Sequence, residues 1–175
     1  MNIVIETGRT EDIDELEELY NGLNEALAAG INYPGWKKGV YPVRENAEEG
    51  IQAGCLYVTR CEGRIAGTVI LNHEPEEGYH TAPWKAEAGY DKITVIHTLA
   101  VHPAFTGSGI GKALMEFSVS HSRQMGMKAI RLDVYENNAP AIRLYESCGF
   151  EYIGTVDLGY GEHGLHWFKL YEKLL

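Results

Sequence analysis

The chain has 175 residues, 45% of them apolar, and its 15 basic residues against 25 acidic ones give a net charge of −10. That length can bury one substantial core without metals or disulfides, and no apolar run is long enough to span a bilayer. The acidity disfavours broad contact with a nucleic-acid backbone and mildly favours encounter with a small cation.

Met1–Glu6 lacks the basic and apolar regions of a secretory leader. The three cysteines, Cys55, Cys61 and Cys148, contain no Cys-x-x-Cys pair and leave an odd thiol. That pattern suits a reduced, cytoplasmic protein. The seven histidines show no metal-ligand spacing. The expectation is a single cytoplasmic domain over residues 1–175, without a metal, a nucleic-acid partner or a membrane partner.

In chain order, Asn2–Glu6 reads as a first strand. Thr10 can cap a helix from Glu11 to Ala28, with Ile13, Leu16, Leu23 and Leu27 at helical spacing. Residues 30–41 hold Pro34, Gly35 and Gly39 and read as a loop or broken helix. A short helix over 44–53 follows, then strands over 56–60 and 64–71 around the turn Cys61-Glu62-Gly63. Residues 73–91 are a long polar connection dotted with aromatics. A strand over 93–101, a helix over 109–125, a strand over 129–135 and a helix over 139–147 come next, Pro140 being tolerated in a first helical turn. Strands over 152–158 and 166–172 close the chain. The fold class is α/β (α+β).

The stretch Val101-His102-Pro103-Ala104-Phe105-Thr106-Gly107-Ser108-Gly109-Ile110-Gly111-Lys112 carries the chemistry. Three alternate glycines between a strand and a helix let backbone N–H groups approach a ligand. The helix terminus adds unpaired donors and partial positive charge. The combination suits a phosphate or pyrophosphate. It is not a Walker A loop: three residues, not four, separate Gly107 from Gly111, and Ala113 lacks the hydroxyl needed for magnesium. It is not a dinucleotide fingerprint either, because Lys112 follows Gly111. Taken alone, the glycines could simply form a strand-to-helix turn.

Downstream, a strand leads into Asn138-x-x-Ala141-x-x-Leu144-Tyr145-x-x-x-Gly149-Phe150. The order strand, glycine loop, helix, strand and this segment resembles the Gcn5-related N-acetyltransferase (GNAT) family from about Ile93 to Gly154. The resemblance implies a mixed, mostly antiparallel central sheet, splayed between two strands and flanked by helices. It implies acetyl-CoA as co-substrate, its pyrophosphate held at Thr106, Gly107, Ser108, Gly109, Ile110, Gly111 and Lys112. The pantetheine arm would pair with the strand edge at Leu99, Ala100 and Val101, with Asn138 helping to anchor it. Asn138 suits a helix N-cap equally well. The family usually carries Arg or Gln where this chain has Thr106.

The resemblance gives Tyr145 the role of general acid toward the departing CoA sulfur, a phenol with an ordinary pKa of about 10 being able to donate there. The bland alternative is an aromatic packed beside Leu144 and Phe150. His97 shares a strand face with Leu99 and is a candidate base by its resemblance to the arylalkylamine branch; a core histidine is the other reading. Glu87 and Asp91 are rival bases. Trp36, Tyr41, Tyr79 and Trp84 could cage an aromatic or alkylammonium acceptor, or simply cover the sheet.

The implied activity is direct acetyl transfer to a small amine within a ternary complex. No cysteine of the motif sits beside a base that could make it an acyl carrier. A non-catalytic acetyl-CoA sensor is the alternative. A homodimer is compatible with the resemblance.

Overall fold

The computed structural model describes residues 1–175. Strand β1 (Ile3–Thr7) leads to helix α1 (Ile13–Ala29), then α2 (Arg44–Gln52), β2 (Leu56–Cys61) and β3 (Arg64–Asn72). After the long connection come β4 (Ile93–Val101), α3 (Ile110–Gln124), β5 (Ala129–Tyr135), α4 (Ala139–Ser147), β6 (Glu151–Val156) and β7 (Phe168–Leu174). The strand order is β1-β2-β3-β4-β5-β7-β6. Pairs β1–β2, β2–β3, β5–β7 and β6–β7 are antiparallel, and β4–β5 is parallel. This is the expected mixed, mostly antiparallel sheet with helices.

The chain divides into two compact units, and β4 contributes its first half to one and its second half to the other. The first unit comprises Met1–Asn32, Trp36–Leu71 and His97–Phe117. Its core joins Leu16, Leu19 and Tyr20 of α1 to Leu56, Val58, Ile65, Ile70 and Ala100. Each fully buried leucine there contributes roughly 1.5–3 kcal/mol.

The buried stripe of α1 is Leu16, Leu19, Tyr20 and Asn24, whereas Ile13, Leu23 and Leu27 are half-buried. The stripe is rotated from the expected one because Asn24 can sit inside, its Nδ2 donating to the Tyr41 carbonyl at 3.1 Å. Thr10 does not cap the helix. It opens a short 3-10 turn, and the Asp12 carboxylate accepts the Arg9 N–H at 2.9 Å while pairing with Arg60 of β2. Gly67 of β3 admits the first turn of α3. A Cβ there would lie 2.7 Å from Ile110 Cγ2 and 3.1 Å from the Ala100 carbonyl.

The second unit comprises Tyr33–Gly35, Asn72–Ile96 and Ser118–Leu175. Within it β5 pairs with β7 along its whole length, but with β4 only from Ile93–Ala129 to Val95–Arg131. The parallel ladder ends there although β4 runs on to Val101 and β5 to Tyr135.

The connection over residues 73–91, expected to be irregular, contains a short 3-10 turn at Glu77–Tyr79 and runs into another at Tyr90–Lys92. It is fixed by a buried ion pair. Arg131 Nε donates to Glu172 Oε2 at 2.9 Å, and both side chains are almost wholly buried. Arg131 also donates to the Tyr90 hydroxyl at 3.0 Å and the Ala86 carbonyl at 2.9 Å, while Glu172 Oε1 accepts the Lys85 N–H at 2.7 Å. The Trp84 ring centroid lies 4.4 Å from the guanidinium carbon.

Removing one partner of such a pair strands a buried charge. Arg131→Met is expected to lower unfolding stability by about 3–5 kcal/mol, and Arg131→Met with Glu172→Leu to recover part of the loss, as read by urea denaturation.

Candidate active site

The glycine loop leaves β4 through a short 3-10 turn, Pro103–Phe105. His102 belongs to that turn: its Nδ1 accepts the Ala104 N–H at 3.0 Å. Burial, and then the neighbouring Arg64 cation, hold its imidazole below the ordinary histidine pKa. Gly107 and Gly109 take φ of +77° and +87°, a region that suits glycine. A Cβ at either would meet nothing within 4 Å, so the loop's outer side is open.

Helix α3 begins at Ile110, and Ala113 makes its first N–H bond back to Gly109, at 3.0 Å. The N–H groups of Ile110, Gly111 and Lys112 therefore precede any intrahelical acceptor. Thr106, Ser108 and Lys112 are exposed. An exposed glycine loop at the start of a 15-residue helix leaves backbone donors without helical partners, an arrangement that can take an anion.

In the second half of β4, His97, Leu99 and Val101 are half-buried, while Thr98 and Ala100 are buried. All three are less covered than the two residues between them. Thr98 departs from strand geometry, with φ of +50°, a genuine outlier for a β-branched residue. Its hydroxyl shares a hydrogen bond with the Tyr41 hydroxyl. Trp36 and Tyr41 pack edge to face with centroids 5.5 Å apart. The loop, His97, Trp36 and Tyr41 all belong to the first unit.

The second unit holds the other candidates. Asn138 is the N-cap of α4, its side-chain oxygen accepting the Ala141 N–H at 3.3 Å. Tyr145 is buried on α4, its ring centroid 6.4 Å from that of Phe150. Glu87 and Asp91 are exposed on the long connection. Tyr79 and Trp84 lie in the core cluster around Ile93, Val95, Ala129 and Leu170. Tyr79 is fully buried and donates to Asp133 at 2.6 Å, and Trp84 covers Arg131. Tyr79 thus packs in the core, and half-buried Trp84 packs against it. The Arg131–Glu172 pair and the irregular Thr98 were not singled out from sequence. The only signal for Arg131 was a cation inside the apolar run Ala129–Tyr135.

A family model described as the acetyltransferase (GNAT) family matches residues 14–150. The chain belongs to the GNAT family. Among curated relatives, the mycothiol acetyltransferase of Propionibacterium freudenreichii subsp. shermanii is 30% identical over 156 residues, covering 87% of this chain and 44% of the relative. The mycothiol acetyltransferase of Thermomonospora curvata is 42% identical over 115 residues, covering 50% of this chain and 38% of the relative. The chain thus spans less than half the length of these relatives.

Among solved structures, the GNAT family acetyltransferase of Listeria monocytogenes aligns with a TM-score of 0.74 at 22% identity, covering 99% of this chain and 95% of the other. The structure of yncA from Salmonella typhimurium, solved with its cofactor acetyl-CoA, gives 0.72 at 19% identity, covering 100% and 95%. These likenesses show that this GNAT chain has the acetyltransferase fold. No helix is long and apolar enough to cross a membrane.

A side chain at Gly109 must either adopt the left-handed φ, at roughly 1–2 kcal/mol, or reshape the loop. Gly109→Ala is expected to weaken CoA binding about tenfold in a calorimetric titration. Unchanged affinity would remove the loop from the anion site.

Proposed function

We propose that this GNAT protein is an acetyl-CoA-dependent N-acetyltransferase whose acceptor is a primary amine of a small, amino-acid-like metabolite. The observation that carries the reading is the open backbone cradle at Gly107–Lys112, placed directly after β4 in a chain matched by the GNAT family model. When bound, acetyl-CoA supplies a thioester carbonyl open to direct attack by the neutral amine in a ternary complex.

The candidate residues of the first and second units take separate tasks in this reading. The first N–H groups of α3 and the loop N–H groups hold the pyrophosphate, and because the donors are backbone, Thr106 in place of Arg or Gln removes a side-chain contact but not the cradle. The edge of β4 at Leu99, Ala100 and Val101 pairs with the pantetheine amides, which satisfies backbone groups on that side. Asn138 fixes the start of α4 and supports the same arm.

His97 accepts the ammonium proton, directly or through water, to give the attacking neutral amine, a neutral imidazole nitrogen being a proton acceptor. Tyr145 donates its phenolic proton to the CoA sulfur as the C–S bond breaks, and the proton that the nitrogen sheds in becoming an amide restores the phenol. Trp36 and Tyr41 flank the acceptor. The acidic chain favours arrival of the cationic amine, and the reading carries a cytoplasmic setting. The names of the mycothiol acetyltransferase relatives favour a small-molecule acceptor.

Tyr145→Phe is expected to lower turnover by about 10²–10⁴-fold while CoA still binds with wild-type affinity; unchanged turnover would end the acid role. In His97→Ala, most of the rate is expected to be lost and the pH–rate profile to change shape. An unaltered profile would exclude His97 and turn attention to Glu87, Asp91 or water. Thiol release across a panel of amines names the acceptor class, and tight CoA binding without turnover on any amine would favour a sensor.

A further inference from the structure

The reaction as proposed leaves two buried groups of α1 unused. Tyr20 and Asn24 stand one turn apart on the same helix face and are 0% and 1% exposed. Tyr20 Oη and Asn24 Oδ1 nevertheless have no hydrogen-bond partner. The amide of Asn24 is oriented by Nδ2, which donates to the Tyr41 carbonyl at 3.1 Å. The orphan is therefore the oxygen, which can only accept. Burial, and then the nearby Tyr41 phenol, push the Tyr20 pKa well above its ordinary value, so Tyr20 stays neutral and can donate as well as accept.

Leaving such groups dry and unpaired is unfavourable, and native proteins rarely do so without a reason. The cover over them is the turn Trp36–Tyr41. Residues 37–40 of that turn are exposed. Its ties to α1 and the following residues include the Lys38–Glu25 ion pair and an Asn32 Nδ2 bond to the Trp36 carbonyl at 2.8 Å, both at the surface. Surface ties of this kind hold weakly. Beneath the turn, Tyr41 is bonded to Thr98, the left-handed residue next to His97. Strained backbone of this type clusters at ligand clamps and active sites. The unpaired groups, the aromatic pair and the strained Thr98, the sequence neighbour of His97, thus all belong to the first unit.

We propose that Tyr20 and Asn24 form the specificity subsite for the acceptor, and that the group they take is a hydroxyl carried by the amine substrate. This rests on the acyl-transfer reading above. When the Trp36–Tyr41 turn lifts, the substrate O–H donates to Asn24 Oδ1 and its oxygen accepts from Tyr20 Oη, so one small group satisfies both orphans. The reacting ammonium does not bind there. A buried cation needs a counter-charge, and the one acidic side chain tied to this turn, Glu25, is exposed and paired with Lys38. The substrate class is an amino alcohol or a similarly hydroxylated amine rather than a plain alkylamine.

The test compares matched amines in a thiol-release assay: ethanolamine against propylamine, 4-aminobutanol against pentylamine, and tyramine against phenethylamine. Wild type should prefer at least one hydroxylated member in kcat/KM by about tenfold or more. Tyr20→Phe should collapse that preference through KM of the amine, without loss of thermal stability, since it deletes an unpaired hydroxyl. Thr59→Val, which deletes the other unpaired buried hydroxyl of this unit, should leave the preference at its wild-type value.

No preference in wild type, or a preference that survives Tyr20→Phe, overturns the subsite. If wild type acetylates none of these amines, the acyl-transfer reading fails for this class, and the subsite is judged by ligand-observed NMR of the same six compounds. Binding of a hydroxylated amine that Tyr20→Phe abolishes supports it, and absent or unaltered binding overturns it.

Discussion

Strands β4 and β5 share parallel register only from Ile93–Ala129 to Val95–Arg131, and β4 continues to Val101 without β5. Backbone N–H and C=O groups are obligatory hydrogen-bonding groups, so a strand that loses its neighbour halfway must find other partners. Three features of the first unit gather at that part of β4. Thr98 leaves strand geometry, the loop that follows Val101 opens backbone N–H groups to the outside, and His97 is half-buried. A ligand arm with its own amide groups completes such an edge without any special side chain.

The energetic investment lies away from the cradle. The loop glycines touch little, but the elements that present them are tightly fixed. Gly67 lets Ile110 and Leu114 of α3 sit against β3, and Asp12 with Arg60 ties the start of α1 to β2. In the second unit the Arg131–Glu172 pair and its aromatic cover hold a connection that has little regular structure of its own. The Trp36–Tyr41 turn is the contrasting case. Surface ties flank it, and the Asn24 and Thr98 hydrogen bonds to Tyr41 anchor its far end, beside two unpaired buried groups.

The sequence made β4, β5 and α4 legible to the residue, because apolar strand runs are bounded there by the glycine loop, and Asn138 and Pro140 mark a helix start with known chemistry. The closing strands came out shifted by one or two residues, since exposed Trp167 and Tyr152 carry the same strand preference as their buried neighbours. Thr98 was invisible: a threonine in an apolar run argues for extended backbone, and only tertiary contacts hold it at positive φ. Arg131 was hidden for a related reason, because arginine is rarely buried and its partner Glu172 lies on a distant strand. The aromatic density over Trp36, Tyr41, Tyr79 and Trp84 was evident. Its division between two units depends on long-range packing that local pattern does not encode.

The central claim is that the second half of β4 and the glycine loop together hold acetyl-CoA. Amide hydrogen exchange with and without CoA tests it most directly. The account predicts that exchange slows on CoA binding at backbone amides within Leu99–Val101 and Gly107–Lys112, while the β5–β7 ladder is unaffected. Binding of CoA with no added protection in either segment would contradict it.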